Sequence, residues 1–450
     1  MRKKGNIFIN FETVFHPVGQ GLFTSLDTDI MADSKCYNFS VVYDCGSSHK
    51  YSRYLKREIK QYICHRNHHI DILFLSHLHY DHVSGLNFLL KYTTVDMVVL
   101  PYISPYERII VALMHPLSLP LWYFEFLSDP ATYLLERGVG NVVYLSEPRE
   151  GYEGEGPDFP PENFPRRIDI EREELPRRPF VNFDDLKMLP KEDISRKLSL
   201  EPIQDKLNKF IEEKKLVFRR AFGVAWASLL VPFLIFIPFV KRIDPAKLRI
   251  FKNCVSQTIQ QNIPPRNYSK LFTSPNINNL RKCYNNIANN LNLTSMTVYV
   301  SPIFSQLCSE KAIIYCCFND FNSCYPTNIT YCPCMLIKNK MKLNNLCGIM
   351  LMGDLPIKQL QIVSSFNRYY HNYLDKIAVY QIPHHGGKDS FNSHLGIKTR
   401  CGVVSYGINN SFNHPNRNIL QQYKNKIKIN KIFHVNENAE FSFQLKGNII

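Results

Sequence analysis

The 450-residue chain reads as an α/β protein. Three observations predict that class. Short apolar runs of strand length recur near both ends of the chain. Charged, periodic segments of helix length are interspersed among them. One apolar run, residues 72–75, stops at Ser76, immediately before a cluster of metal-ligand side chains. Strands with interspersed helices on both sides of a compositionally different middle suggest two sheets with helices outside.

The N-terminal elements follow from pattern. Residues 7–16 and 38–44 cluster or alternate apolar side chains and are predicted strands. Between them, Val18-Gly19-Gln20-Gly21 predicts a tight turn that lets backbone approach closely. Residues 51–65 are charged and periodic, hence helical. Residues 72–75 are a buried strand, 84–92 a helix and 96–100 another strand.

From about residue 105 to 290 the pattern changes. Residues 108–136 read as helical with aromatics. Residues 147–180 carry seven prolines among alternating acids and bases, the composition of an exposed loop or linker. Residues 201–215 form a charged helix candidate. Residues 221–240 contain no charge and have the length of a membrane span. Basic residues at both ends give no orientation signal. Pro232, Pro238 and a position between two halves of one fold favour a buried strand pair within an inserted region.

Residues 278–292 read as helical. Strand candidates resume at 296–304, 312–318, 335–337, 348–352, 377–382, 401–406, 431–435 and 440–445. The expected division is an N-terminal half at 1–105, an inserted region at 106–290 and a C-terminal half at 291–450. No repeat of 20–50 residues is visible.

The chemistry concentrates after the strand at 72–75. His77, His79, Asp81 and His82 fall within six residues. On extended backbone alternate side chains share a face, so His77 and His79 can bind one ion together. Asp81 and His82 follow a chain turn and can face a second ion. Two divalent ions sharing a hydroxide form a hydrolytic centre, with Asp81 most important for the second ion and the nucleophile. Asp354 ends the apolar strand at 349–352, where a carboxylate can bridge two ions. His384 directly follows the strand at 380–382 and is the expected ligand. His385 is expected to face substrate or to hydrogen-bond behind the ligands. His414, in a polar loop, is the candidate to protonate a leaving oxygen or hold a developing anion. Histidine with carboxylate suits Zn²⁺ or Mn²⁺.

His77-Leu78-His79-Tyr80-Asp81-His82 resembles the HxHxDH signature of the metallo-β-lactamase superfamily. Val18-Gly19-Gln20-Gly21, Val42-Tyr43-Asp44-Cys45-Gly46, Met352-Gly353-Asp354, Pro383-His384-His385-Gly386-Gly387 and Asn413-His414-Pro415 follow in the order of one branch. That branch includes the hydrolase-like domain of the bacterial DNA-uptake (competence) channel. The resemblance covers residues 7–105 and 290–445. It implies an αββα four-layer sandwich with a large insertion, and an Asp44 that supports the metal loop rather than binding metal. A simple turn aspartate is the other reading of Asp44. The family usually supplies a third histidine to the first ion. Between His82 and His371 this chain has only His115, so Asp354 is expected to complete that site.

Lys and Arg exceed Asp and Glu by 54 − 39 = 15. This favours an anionic partner, nucleic acid or an anionic membrane face, although a basic solvated surface also accounts for it. No nucleic-acid-binding motif accompanies the charge. The thirteen cysteines show no framework spacing and no signal peptide is evident, so the expectation is a cytoplasmic protein with free thiols. Cys308, Cys316, Cys317, Cys324, Cys332 and Cys334 crowd together without a CxxC pair. They read as half-buried strand cysteines rather than a structural zinc site.

The functional expectation is a dinuclear metal-dependent hydrolase of phosphodiesters, nucleic acid or nucleotide, acting through a metal-bound hydroxide. The alternatives are a hydrolase of small esters, thioesters or lactams, and a metal-containing non-catalytic subunit of a DNA-uptake or defence system. In the last case the inserted region would contact the partner protein.

Overall fold

The computed structural model describes residues 7–32, 35–66, 68–114, 118–148, 154–161, 176–201, 203–241, 245–259, 274–285, 294–303, 306–307, 313–318, 348–399 and 401–448. The first half of the chain supplies β1 (Phe8–Phe15), β2 (Phe23–Ala32), β3 (Lys35–Cys45), β4 (His69–Phe74), β5 (Thr94–Pro101) and β6 (Asn141–Ser146). Next come β7 (Phe180–Asn182), β8 (Leu216–Arg220), β9 (Ala225–Ser228), β10 (Pro232–Lys241) and β11 (Ser295–Pro302). The C-terminal part adds β12 (Gln306–Leu307), β13 (Ile313–Phe318), β14 (Gly348–Leu351), β15 (Ile377–Gln381), β16 (Cys401–Ser405), β17 (Lys431–Val435) and β18 (Ala439–Asn448).

These strands make two sheets. The first runs β12-β18-β1-β2-β3-β4-β5-β6-β8, with β13 also paired to β18. The second runs β17-β16-β15-β14-β11-β10-β9-β7. In each sheet the strands that lead to the candidate site are parallel: β3 to β4 to β5 to β6 in one, β14 to β15 to β16 to β17 in the other. Parallel strands covered on both faces read as unbroken apolar runs, which is how residues 72–75 and 349–352 appear in sequence.

Two cores follow from the period of two along each strand. Ile72 and Phe74 of β4 face between the sheets with Phe236, Ile349, Leu351 and Val403, while Leu73 and Leu75 face outward beneath helices. Phe39 meets Phe233 with ring centroids 5.4 Å apart, and Phe74 meets Phe236 at 5.5 Å, joining the two sheets. On the outside, the helix Ser52–His65 buries Leu55, Ile59, Tyr62 and Ile63, and the helix Leu360–Tyr369 buries Ile362, Val363, Phe366 and Tyr369. Both sets follow helical spacing. The layers are therefore helix, sheet, sheet, helix.

The stretch 106–290, expected as an insertion, is woven into both sheets. β6 and β8 extend the first sheet, and β10 pairs along its length with β11 of the second. The uncharged residues 221–240 form β9 and β10 as an antiparallel pair. They are buried because both faces of β10 are covered, Phe236 on one side and Ile235 and Ile237 on the other. Among the described residues no helix is long and apolar enough to cross a membrane.

Several expectations change. β2, absent from the sequence reading, is a full strand. Its Asp27 and Asp29 hid it: Asp27 is buried but pairs with Arg66 at 3.3 Å and accepts a hydrogen bond from Tyr62 Oη at 3.1 Å. The helical stretch expected at 108–136 is three helices, Pro105–Met114, Leu121–Ser128 and Pro130–Leu135. The expectation of free thiols fails for Cys254 and Cys283, which form a disulfide between the helices Pro245–Ile259 and Ser274–Asn285. Residues 335–337, His115, Cys308, Cys324, Cys332 and Cys334 lie outside the described residues, and Cys316 and Cys317 are described only as backbone positions of β13.

Candidate metal centre

The ligand loop begins where β4 ends. Leu75 N–H still donates to Val99 O at 2.9 Å, and residues 76–79 continue without regular structure. A single helical turn, Tyr80–Val83, then reverses the chain. His79 is its extended N-cap, and its carbonyl accepts from the N–H groups of His82 (3.0 Å) and Val83 (3.2 Å). His77 and His79 thus arrive from extended backbone and Asp81 and His82 from the turn. The His77 ring lies 4.6 Å from His79 and 4.0 Å from His82 between centroids. Gly46 lets the turn sit this close to β3, because a Cβ there would fall 2.3 Å from the backbone carbon of His82.

Asp44, near the end of β3, adopts φ 56 and is fully buried. Its Oδ1 accepts from Ser76 N–H at 2.6 Å, and its Oδ2 accepts from Ser76 Oγ–H at 2.6 Å and His82 Nδ1 at 2.7 Å. With the Ser76 hydroxyl proton committed to Asp44, Ser76 Oγ accepts from His77 Nδ1–H at 2.9 Å. On the second sheet, His385 Nδ1–H donates to Ser405 O at 2.8 Å. In all three rings an acceptor behind Nδ1 leaves the Nε2 lone pair facing inward, the arrangement that metal-binding histidines use.

Asp354 enters from the end of β14, past Gly353. Its Oδ2 lies 3.7 Å from His77 Nε2 and its Oδ1 3.3 Å from His82 Nε2. Asp81 Oδ2 lies 3.4 Å from His385 Nε2. One donor group is His77, His79 and Asp354, and another is Asp81, His82 and His385, each with its ligand atoms within 4.8 Å of one another. His77 Nε2, His82 Nε2, His385 Nε2 and Asp354 Oδ1 are buried without a hydrogen-bond partner. Buried polar atoms are otherwise almost always paired. Four that converge on one space fit a bound cation.

The charges respond to this crowding. Burial, with the nearby His82 and His79, holds His77 well below the usual histidine range. Burial acts the same way on His82, but the Asp354 and Asp44 carboxylates outweigh it and raise that ring well above. Burial would raise Asp354, yet His82, His384 and His385 hold it well below the carboxylate range. Asp81 is likewise lowered against its burial by the close His385 ring and the His82 charge. A divalent cation would displace the proton that the carboxylates draw to His82.

The geometry separates two neighbouring histidines differently from the sequence expectation. His385, expected to face substrate or to hydrogen-bond behind the ligands, turns its Nε2 to Asp81 and His82. His384, the expected ligand, joins none of the donor groups found among the described residues. Its N–H donates to Gly353 O at 3.1 Å, and its ring faces His414 at 5.4 Å. Both residues have positive φ, 49 and 51, so the chain coils tightly after β15 and brings His385 Nε2 to Asp81 and His82. His414 stands half-buried beside them, its ring stacked 6.0 Å from His385. Burial, then the His385 and His384 charges, push it down to about 4.

Two supporting residues lacked a motif. Gln381 Oε1 accepts from the N–H groups of Met352 (2.8 Å) and Gly353 (3.3 Å), fixing the turn that presents Asp354. A polar side chain inside the apolar run 377–382 was the available signal. Tyr123 Oη donates to Leu78 O at 2.8 Å, so the helix Leu121–Ser128 braces the ligand loop from above.

No curated protein matches the chain. A model described as the metallo-beta-lactamase superfamily matches residues 38–107, from β3 through the ligand loop and β5 to the start of the next helix. Over that stretch the chain is similar to the metallo-β-lactamase superfamily, and the two-sheet sandwich, with its metal-ligand side chains at the strand ends, is consistent with that superfamily's fold.

Proposed function

We propose that the chain is a dinuclear metal-dependent phosphodiesterase acting on nucleic acid or nucleotides, with Zn²⁺ or Mn²⁺ as the resident ions. The observation that carries this reading is the pair of donor groups, His77–His79–Asp354 and Asp81–His82–His385, brought together by the approach of both Asp354 oxygens to His77 and His82. When bound, two such ions supply Lewis acidity and a nucleophile from water at neutral pH. The chain's own residues do the rest. Asp44, Ser76 and Ser405 orient the rings of His82, His77 and His385. His414 offers a hydrogen-bond donor to the leaving oxygen. The His384 ring, 5.4 Å from His414, would face the substrate beside it.

A net charge of +15 attracts a phosphodiester over long range more than a neutral ester or lactam. The order of the motifs from Val18-Gly19-Gln20-Gly21 to Asn413-His414-Pro415 resembles the DNA-uptake branch and points to the same substrate class.

The test uses Mn²⁺- and Zn²⁺-loaded protein with single- and double-stranded DNA, RNA and bis(p-nitrophenyl) phosphate, beside an Asp81→Ala/His82→Ala control. Metal-dependent turnover of a phosphodiester, lost in the control, is expected. Turnover confined to thioesters or lactams would transfer the site to the ester-hydrolase reading. Metal binding without any turnover would favour a non-catalytic subunit.

A further inference from the structure

The turn after β1 carries a side chain that the metal centre does not account for. Gln20 is 2% exposed, and its backbone is tied down. Its carbonyl accepts from Ser48 N–H at 2.6 Å and from Ser47 Oγ–H at 3.2 Å. Gly21 beside it packs where a Cβ would stand 2.4 Å from Gly46 O and 2.7 Å from Asp81 O. The turn is therefore pressed against the ligand loop, and the Gln20 side chain reaches across to the C-terminal part of the chain.

There it makes two hydrogen bonds whose polarity is forced. Gly407 N–H, which can only donate, gives its proton to Gln20 Oε1 at 3.2 Å. The other end of the amide is then Nε2, which can only donate. It lies 3.4 Å from His414 Nδ1. His414 Nδ1 must accept, so a neutral His414 ring carries its proton on Nε2. That nitrogen faces the loop of His384 and His385: a Cβ built on Gly387 would lie 2.8 Å from it.

We propose that Gln20 is a positioning residue that fixes His414 as the Nε2–H tautomer, so that the ring presents a hydrogen-bond donor to the reacting oxygens. The physical point is a chain of one-way groups. A backbone N–H fixes the amide, the amide fixes the imidazole, and the imidazole shows a donor rather than a lone pair to the site. A lone pair there would repel a leaving or non-bridging oxygen, or compete for a metal ion. The use of that donor rests on the reading of His414 in the proposed function, but its tautomer does not.

Nuclear magnetic resonance of the full chain labelled with ¹⁵N-histidine tests this without substrate. Two-bond proton–nitrogen correlations at neutral pH distinguish Nε2–H, Nδ1–H and doubly protonated rings, and His414→Asn identifies the His414 signals by their loss. The wild type is expected to show His414 as Nε2–H. In Gln20→Glu, a carboxylate of the same shape accepts where the amide donated, and the ring is expected to gain a proton on Nδ1. In Gln20→Met, both tautomers are expected. A wild-type His414 carrying its neutral proton on Nδ1 would overturn the proposal, as would an unchanged tautomer in folded Gln20→Glu and Gln20→Met proteins. If the tautomers behave as expected and no phosphodiester is cleaved, the proposed reaction fails and the role of Gln20 stands.

Discussion

Asp44 shapes the centre through its hydrogen bonds and through its charge on His82. Its two oxygens accept three hydrogen bonds, two from Ser76 and one from His82, and every donor is buried. Asparagine at this position would set an N–H against at least one of those donors. Asp44→Asn is therefore expected to lower zinc affinity by about 10–100-fold while the folded chain persists. Competition against a chromophoric chelator measures it, and unchanged affinity would remove Asp44 from the support of the site. At this scale the sequence was legible where residue type and spacing sufficed. The cluster His77, His79, Asp81 and His82 was such a case. It was not legible at His384 and His385, because which of two adjacent histidines joins Asp81 and His82 depends on backbone angles, here two consecutive positive φ values.

Among elements, the strands around the site were visible because their two-sided burial leaves unbroken apolar runs, and β2 was invisible because its buried aspartate breaks the run. The apolar hairpin of β9 and β10 was legible as buried strands, yet its membership in the second sheet depends on pairing with β11, a partner 54 residues or more further on that no local pattern announces. A pH effect belongs to this scale as well. At the start of β4, His69 Nε2 lies 3.5 Å from Asp71 Oδ1 and 3.5 Å from Asp96 Oδ2 of β5. Its Nδ1 bonds the Thr94 hydroxyl at 3.0 Å. The hydrogen bonds to Asp71 and Asp96 outweigh partial burial and push the ring up to about 10. A folded-state pKa above the ordinary 6.5 means that the stabilisation is complete below pH 6.5 and is lost as pH rises towards 10. Chemical denaturation of wild type and His69→Gln across that window should show their stability difference shrinking with rising pH. The gain is modest because the ring is one-third exposed. A difference that stayed constant from pH 6.5 to 10 would show that His69 is not the linking group.

For the whole molecule, the centre lies where the two sheets meet. His77, His79, Asp81 and His82 come from the loop after β4 of the first sheet, while Asp354 and His385 come from the turns after β14 and β15 of the second. A cation held by both sets ties together the two sheets, which are also joined by apolar contacts such as Phe74 with Phe236 and by Tyr43 Oη donating to Met296 O at 2.7 Å. Without a cation, the His77 and His385 rings, a His82 ring that draws a proton and the Asp354 carboxylate crowd one buried space, which opposes closure of the sandwich at this end. Metal binding and folding are then linked: an ion that binds only the folded chain stabilises it by about 2.7 kcal/mol when its free concentration is 100 times its dissociation constant. Thermal unfolding should therefore move to higher temperature as buffered zinc is raised and fall back on chelation. His82→Ala, which removes a ligand without touching the sheet interface, should lose most of the zinc-dependent shift. Its zinc-free midpoint should change less, because the substitution also removes a buried ring crowded between two carboxylates. Melting that ignores zinc in the wild type would mean that the convergence of these side chains holds no cation, and the hydrolytic reading would go with it.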